Sequence, residues 1–149
     1  MLATPHCGWS TIQIGDWSDR VSYISDVPNN ILNAFIGTKT SYDPISVKFD
    51  AEGWEFIIVF DHFETHILDY GYKNEEEYLA DKENKLKLFT FEISRFDIIK
   101  ELVSDMERDL DDWTMWYSFI SYHEVEAINK RKIQLKNKID KLKAEYSLT

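Results

Sequence analysis

The sequence predicts an α+β fold: an antiparallel sheet of about four to six strands, a short helix in the N-terminal half, and two longer C-terminal helices packed on the sheet. Three observations carry this. Segments of period-two alternation fill the first 93 residues. Short links rich in turn formers join most of them, which favours antiparallel neighbours. Beyond Ser94 the apolar period changes to that of a helix.

The elements follow in order. Trp9 to Ile14 alternates around Ile12 and Ile14, Gly15-Asp16 signals a turn, and Val21 to Ser25 resumes a strand pattern, so a hairpin around Gly15 to Arg20 is expected. Asp26 is a candidate N-cap, Pro28 suits the first helical turn, and Ile31, Leu32, Phe35 and Ile36 share one face before Gly37. Ile45 to Asp50 and Trp54 to Asp61 flank the turn Ala51-Glu52-Gly53, and the second is apolar on both faces, as a central strand is. Thr65 to Tyr70 and Leu86 to Ile93 read as two more strands. Between them, Glu75, Glu76 and Glu77 form a charge run expected in a solvated loop or short exposed helix. From Ser94 a long helix carries Ile99, Leu102, Val103, Met106, Leu110, Trp113 and Tyr117 as a core-facing stripe. Glu124 to Tyr146 is a second helix, with Ile128, Leu135, Ile139, Leu142 and Tyr146 in a heptad-like seam that Lys132 breaks.

Length and composition bound the function classes. The chain has 149 residues, enough for one domain with a core that needs no disulfide or metal. No apolar run reaches the length that spans a bilayer, the first ten residues do not read as a signal peptide, and a single cysteine fits a reduced, cytoplasmic protein. Net charge is -10, unevenly spread. Residues 1–124 hold 24 acidic and 10 basic side chains, whereas residues 125–149 hold 3 acidic and 7 basic. We therefore divide the chain into an acidic body, 1–124, and a basic C-terminal helix, 125–149. That helix has two open readings. It docks antiparallel on the acidic helix before it, or it projects and pairs with a second chain as a homodimer. An acidic body is a poor ligand for nucleic acid or an anionic membrane, and suits plain solubility or a cationic partner.

No motif announces chemistry. His62 and His66 lie near Asp61, Glu64 and Asp69, but their spacing matches no zinc signature, and surface or structural histidines are the expectation. Cys7 precedes the first strand in a segment expected to be mobile, with no base in view. Phosphate-binding loops and hydrolase elbows are absent from the sequence, and no metal or cofactor is expected. The long helix carries Glu101, Asp105, Asp109 and Asp112 on one side, with Trp116 nearby. Acids beside an aromatic make a binding hot spot or, equally, a helix packed between neighbours.

The order Gly15-Asp16, a serine-rich strand, Asp26-Val27-Pro28 opening a helix with Ile31-Leu32, and Phe49-Asp50-Ala51-Glu52-Gly53-Trp54-Glu55-Phe56 resembles small immunity proteins of bacterial polymorphic-toxin and contact-dependent inhibition systems. The likeness spans roughly residues 9–93, carries no functional residue over, and leaves the basic tail without a counterpart. It implies a non-catalytic cytoplasmic protein that blocks a cognate toxin. The charge reading adds that a basic, nuclease-type toxin is the fitting partner. The expected contact residues are Glu75, Glu76, Glu77, Glu101, Asp105, Asp109, Asp112 and Trp116. The alternative is an adaptor that oligomerises through the C-terminal helix.

Overall fold

The computed structural model describes residues 1–71, 86–116 and 124–149, together with Glu76. Among the described residues, six strands and four helices follow one another as β1 (Trp9–Ile14), β2 (Trp17–Ser22), α1 (Val27–Phe35), β3 (Ile45–Asp50), β4 (Trp54–Phe60), β5 (Thr65–Gly71), β6 (Lys87–Phe91), α2 (Arg95–Arg108), α3 (Leu110–Thr114) and α4 (Val125–Tyr146). The class is α+β, as the sequence predicts. All strand pairs are antiparallel, but the strands form two sheets: the hairpin β1-β2 and the meander β3-β4-β5-β6.

Alternation decides which face of the meander is buried. Ile45, Val47 and Phe49 on β3, Trp54, Phe56, Ile58 and Phe60 on β4, and Ile67 on β5 are buried, while the residues between them are half-exposed or exposed. Phe49 stacks on its cross-strand partner Phe56, ring centroids 5.0 Å apart. The β1-β2 hairpin reaches this face through Trp17, whose ring meets Phe56 edge-on at 5.1 Å. Helix α1 buries Val27, Pro28, Ile31, Leu32 and Phe35, and Phe35 sits 5.0 Å from Phe60. Helix α4 lies across α1, α2 and α3 and closes the core with Leu135, Ile139, Leu142 and Tyr146. Each such side chain removed from water contributes about 1.5–3 kcal/mol.

Two boundaries differ from the sequence reading. The first hairpin is tighter than expected: Ile14 pairs with Trp17 across the two residues Gly15-Asp16, so the second strand begins at Trp17 rather than Val21. The expected single long helix is two helices. Its stripe is interrupted at Asp109, whose backbone leaves helical values (φ -110°, ψ 33°) and whose carboxylate accepts from Thr4 and Arg108. The start is as expected: the Ser94 hydroxyl accepts from the Asp97 amide and caps α2. The stretch around Glu75 and Glu77, and Tyr117 to Tyr122, lie outside the described residues.

Gly15 is fixed by two demands. It adopts φ +58°, the first position of a turn that matches strand twist, and a Cβ there would stand 2.6 Å from the Phe91 ring. Gly15→Ala should therefore cost about 2 kcal/mol, read as a lower urea midpoint. Asp16→Ala, with no such backbone demand, should stay within about 0.5 kcal/mol.

Candidate partner-binding surface

The basic helix folds inward. Arg131 is buried, and its guanidinium grips Asp26 with both Nη1 (2.9 Å) and Nη2 (2.8 Å). Its Nε donates to the Thr114 carbonyl at 3.0 Å, which ties α4 to the end of α3 as well as to the start of α1. Arg131, not the heptad position Lys132, completes the buried seam between Ile128 and Leu135, and Lys132 is exposed. Farther along, Lys143 and Lys136 reach Glu107 of α2 (2.7 and 3.4 Å), Lys132 meets Asp111 (2.5 Å), and Lys138 donates to Asn29 (2.6 Å). The docked arrangement is thus the one found, with the apolar seam enclosed in the domain's own core.

Internal partners also take much of the predicted acidic face. Asp105 accepts from the Leu2 amide and from Arg108, both at 2.8 Å. Asp109 accepts from Thr4 (3.0 Å) and Arg108. These contacts fasten residues 1–4 beside β1, where Leu2 bridges Ile12. They also explain how acids repeat every four residues without mutual destabilisation. Hydrogen bonding to Arg108 holds the Asp109 carboxyl below its ordinary value. Trp116 is a correction to the anchor expectation. It is 4% exposed, its indole N–H donates to the Ser25 carbonyl at 2.9 Å, and its ring lies 5.0 Å from buried Trp113. It packs the core from the turn past the end of α3, where its amide donates to the Trp113 carbonyl at 3.3 Å. Glu76, Glu101 and Asp112 are exposed, and Glu101 lines a shallow groove with Asp97, Lys100 and Ser104. Glu75 and Glu77 lie outside the described residues.

The remaining candidates have plain placements. Cys7 is exposed, in a tight turn where His6 and Trp9 exchange backbone hydrogen bonds of 2.8 and 3.0 Å, and its Sγ lies 3.4 Å from Nε2 of its neighbour His6, a ring nitrogen that the sequence reading did not place beside it. His66 pairs with Thr90 (3.0 Å), and its other ring nitrogen lies 3.6 Å from Glu64. Among the described residues no three His, Cys, Asp or Glu side chains are grouped to hold a metal, and no helix is long and apolar enough to cross a membrane.

A surface that the sequence reading missed lies where the β4-β5 turn meets the start of α2. Tyr42 and Phe63 are 87% and 82% exposed, and Phe96 is 39% exposed. All three rings surround His62, at centroid distances of 5.4, 6.2 and 5.7 Å. The one signal in the sequence was an aromatic within each of two polar turns, Ser41-Tyr42-Asp43 and His62-Phe63-Glu64.

No family model, no curated protein and no solved structure matches this chain.

The Asp26–Arg131 joint has a pH signature. Burial pushes the Asp26 carboxyl up, but hydrogen bonds from Arg131 and Asn29 and the Arg131 charge outweigh it and hold the group below its ordinary 3.8. A carboxyl lowered in the folded state stabilises fully above its unfolded pKa and loses that contribution as pH falls through the folded one. Urea midpoints of the wild type should fall between about pH 5 and pH 2, and those of Asp26→Asn, lower at neutral pH, should fall less over that window. Arg131→Met should cost about 3 kcal/mol at neutral pH, because it leaves half-buried Asp26 without its counter-charge and takes a donor from the Thr114 carbonyl.

Proposed function

We propose that this chain is a non-catalytic immunity protein that binds a cognate bacterial toxin domain, basic and of nuclease type, in the cytoplasm and holds it inactive. One observation carries the reading: four of the seven basic side chains of the C-terminal helix meet the chain's own carboxylates, as Arg131–Asp26, Lys132–Asp111, Lys136–Glu107 and Lys143–Glu107. The exposed carboxylates of the body, among them Asp43, Glu64, Glu76, Asp97, Glu101 and Asp112, keep their charge outward.

An enzyme that cleaves a phosphate backbone collects Lys and Arg around its substrate path. An acidic protein is steered to such a surface, and its carboxylates take the place of phosphates there. Of the expected contact residues, Glu76, Glu101 and Asp112 fit this role. Asp105 and Asp109 support it from behind by holding the N-terminal segment. The adaptor alternative needs a free seam on α4, and Leu135, Ile139 and Leu142 are buried within the domain.

Capture from native lysate with the full chain as bait should recover one polypeptide rich in Lys and Arg, more weakly at about 0.5 M salt than at about 0.05 M. Expressed alone, that polypeptide should stop growth, and co-expression of this chain should restore it. Recovery of only the bait's own copies, or of a polypeptide harmless to the cell, would overturn the reading.

A further inference from the structure

We propose that the exposed aromatic cluster of Tyr42, Phe63 and Phe96 around His62 is the docking surface for a cationic protein partner. The inference rests on the partner-binding reading above and gives it a location.

Exposure is the first ground. Tyr42 and Phe63 are the most exposed large hydrophobic side chains among the described residues. Isolated exposed aromatics are ordinary, but these two stand with Phe96 around one imidazole. A partner that covers them gains large contact area from side chains with few rotatable bonds.

Preorganisation is the second. Arg95 is wholly buried beneath the cluster and has no carboxylate partner among the described residues. Its guanidinium instead donates to the carbonyls of Thr38 (3.2 Å), Ser41 and Asp43 (3.1 Å), and it lies 5.4 Å from the Phe96 ring. The loop that carries Tyr42 is thereby clamped from below. The turn that carries Phe63 is closed by the Asp61 amide on the Glu64 carbonyl (2.9 Å), and the Arg95 amide donates to the Asp61 carbonyl (3.0 Å). One residue therefore fixes both aromatic turns, so docking there orders little that is not already ordered.

Charge selects the occupant. Asp43, Asp61, Glu64 and Asp97 each adjoin a cluster residue in sequence, and Asp43, Glu64 and Asp97 are exposed. Two cations stand near them, half-exposed Lys39 and exposed Lys100 one turn on from Phe96, and four carboxylates outnumber these two. A second copy of this chain would bring the same acidic rim against itself, which costs free energy, whereas a basic surface is attracted.

The test uses the full chain with a photo-crosslinking phenylalanine analogue at position 63 in native cells, and at Ile133 of α4, also exposed, as the control. The cluster holds if position 63 crosslinks a protein with excess Lys and Arg that position 133 does not. Tyr42→Ala and Phe63→Ala should each weaken binding of that purified protein at least tenfold at unchanged unfolding midpoints, and Ile133→Ala less than twofold. Crosslinks only to the chain's own copies, to an acidic protein, equally from both positions, or to nothing would overturn the proposal. The two readings fail separately. A growth-arresting partner bound equally by wild type and Phe63→Ala removes the cluster and leaves the immunity reading. A harmless basic partner lost on Phe63→Ala removes the immunity reading and leaves the cluster.

Discussion

The seating of α4 through Arg131 is the constraint on which the rest of the architecture depends. The guanidinium joins three elements distant in sequence: the start of α1 at Asp26, the end of α3 at Thr114, and α4 itself. Burying an arginine is unfavourable unless its donors are met, and here a carboxylate and backbone carbonyls meet them. With that end fixed, the helix period brings Leu135, Ile139, Leu142 and Tyr146 onto the core in turn. The lysines that flank this seam then arrive opposite Glu107 and Asp111. The far end of the same helix completes the floor of the aromatic surface. The Tyr146 hydroxyl lies 3.0 Å from that of Thr38, its ring 5.8 Å from Phe96, and Glu145 accepts from the Gly37 amide at 3.0 Å.

Electrostatics explains why an acidic chain keeps a basic segment. Carboxylates at four-residue spacing along a helix repel one another. On α2 the repulsion is relieved from two sides. Arg108 and the Leu2 and Thr4 donors take Asp105 and Asp109, while Lys143 and Lys136 hydrogen-bond Glu107 and hold its carboxyl below its ordinary value. Surface pairs of this kind contribute little individually. Their joint effect is to engage Asp105, Glu107 and Asp109 within the fold while Glu101 and Asp112 stay exposed.

Much of the fold was legible because burial leaves a period in the sequence. The strand and helix faces named from alternation, Ile12 and Ile14, Val47 and Phe49, Phe56 and Ile58, Leu102 and Met106, are buried. The break between α2 and α3 was not legible, because the apolar stripe runs through it and a hydrogen bond from Thr4, distant in sequence, accompanies it. Arg131 was missed because the heptad count puts the gap in the seam at Lys132, and the buried arginine beside it is recognised only by its partners in space. Trp116 shows the reverse: an aromatic among acids has one composition whether it faces water or the core, and only the path of the chain past α3 decides. For the site, net acidity was legible, but the pairing that leaves Glu101 and Asp112 outward and engages Asp105 and Asp109 is tertiary.

The choice of partner for Arg95 links the two halves of the molecule. A buried guanidinium is most simply compensated by a carboxylate, and Asp43 and Asp61 are close in sequence to the groups it touches. Had either side chain been drawn in, the loop would be held just as well, but the rim would lose a negative charge. Carbonyl oxygens carry partial charge only, so the clamp leaves the formal charges on the surface. Three carbonyls hold the two terminal nitrogens while the buried Nε finds no partner among the described residues, and α4 reaches the same place through Tyr146, whose ring lies 5.8 Å from Phe96 and whose hydroxyl lies 3.0 Å from that of Thr38. The same docked helix that encloses the basic segment thus also lets the aromatic turns stand rigid inside an undiminished acidic rim.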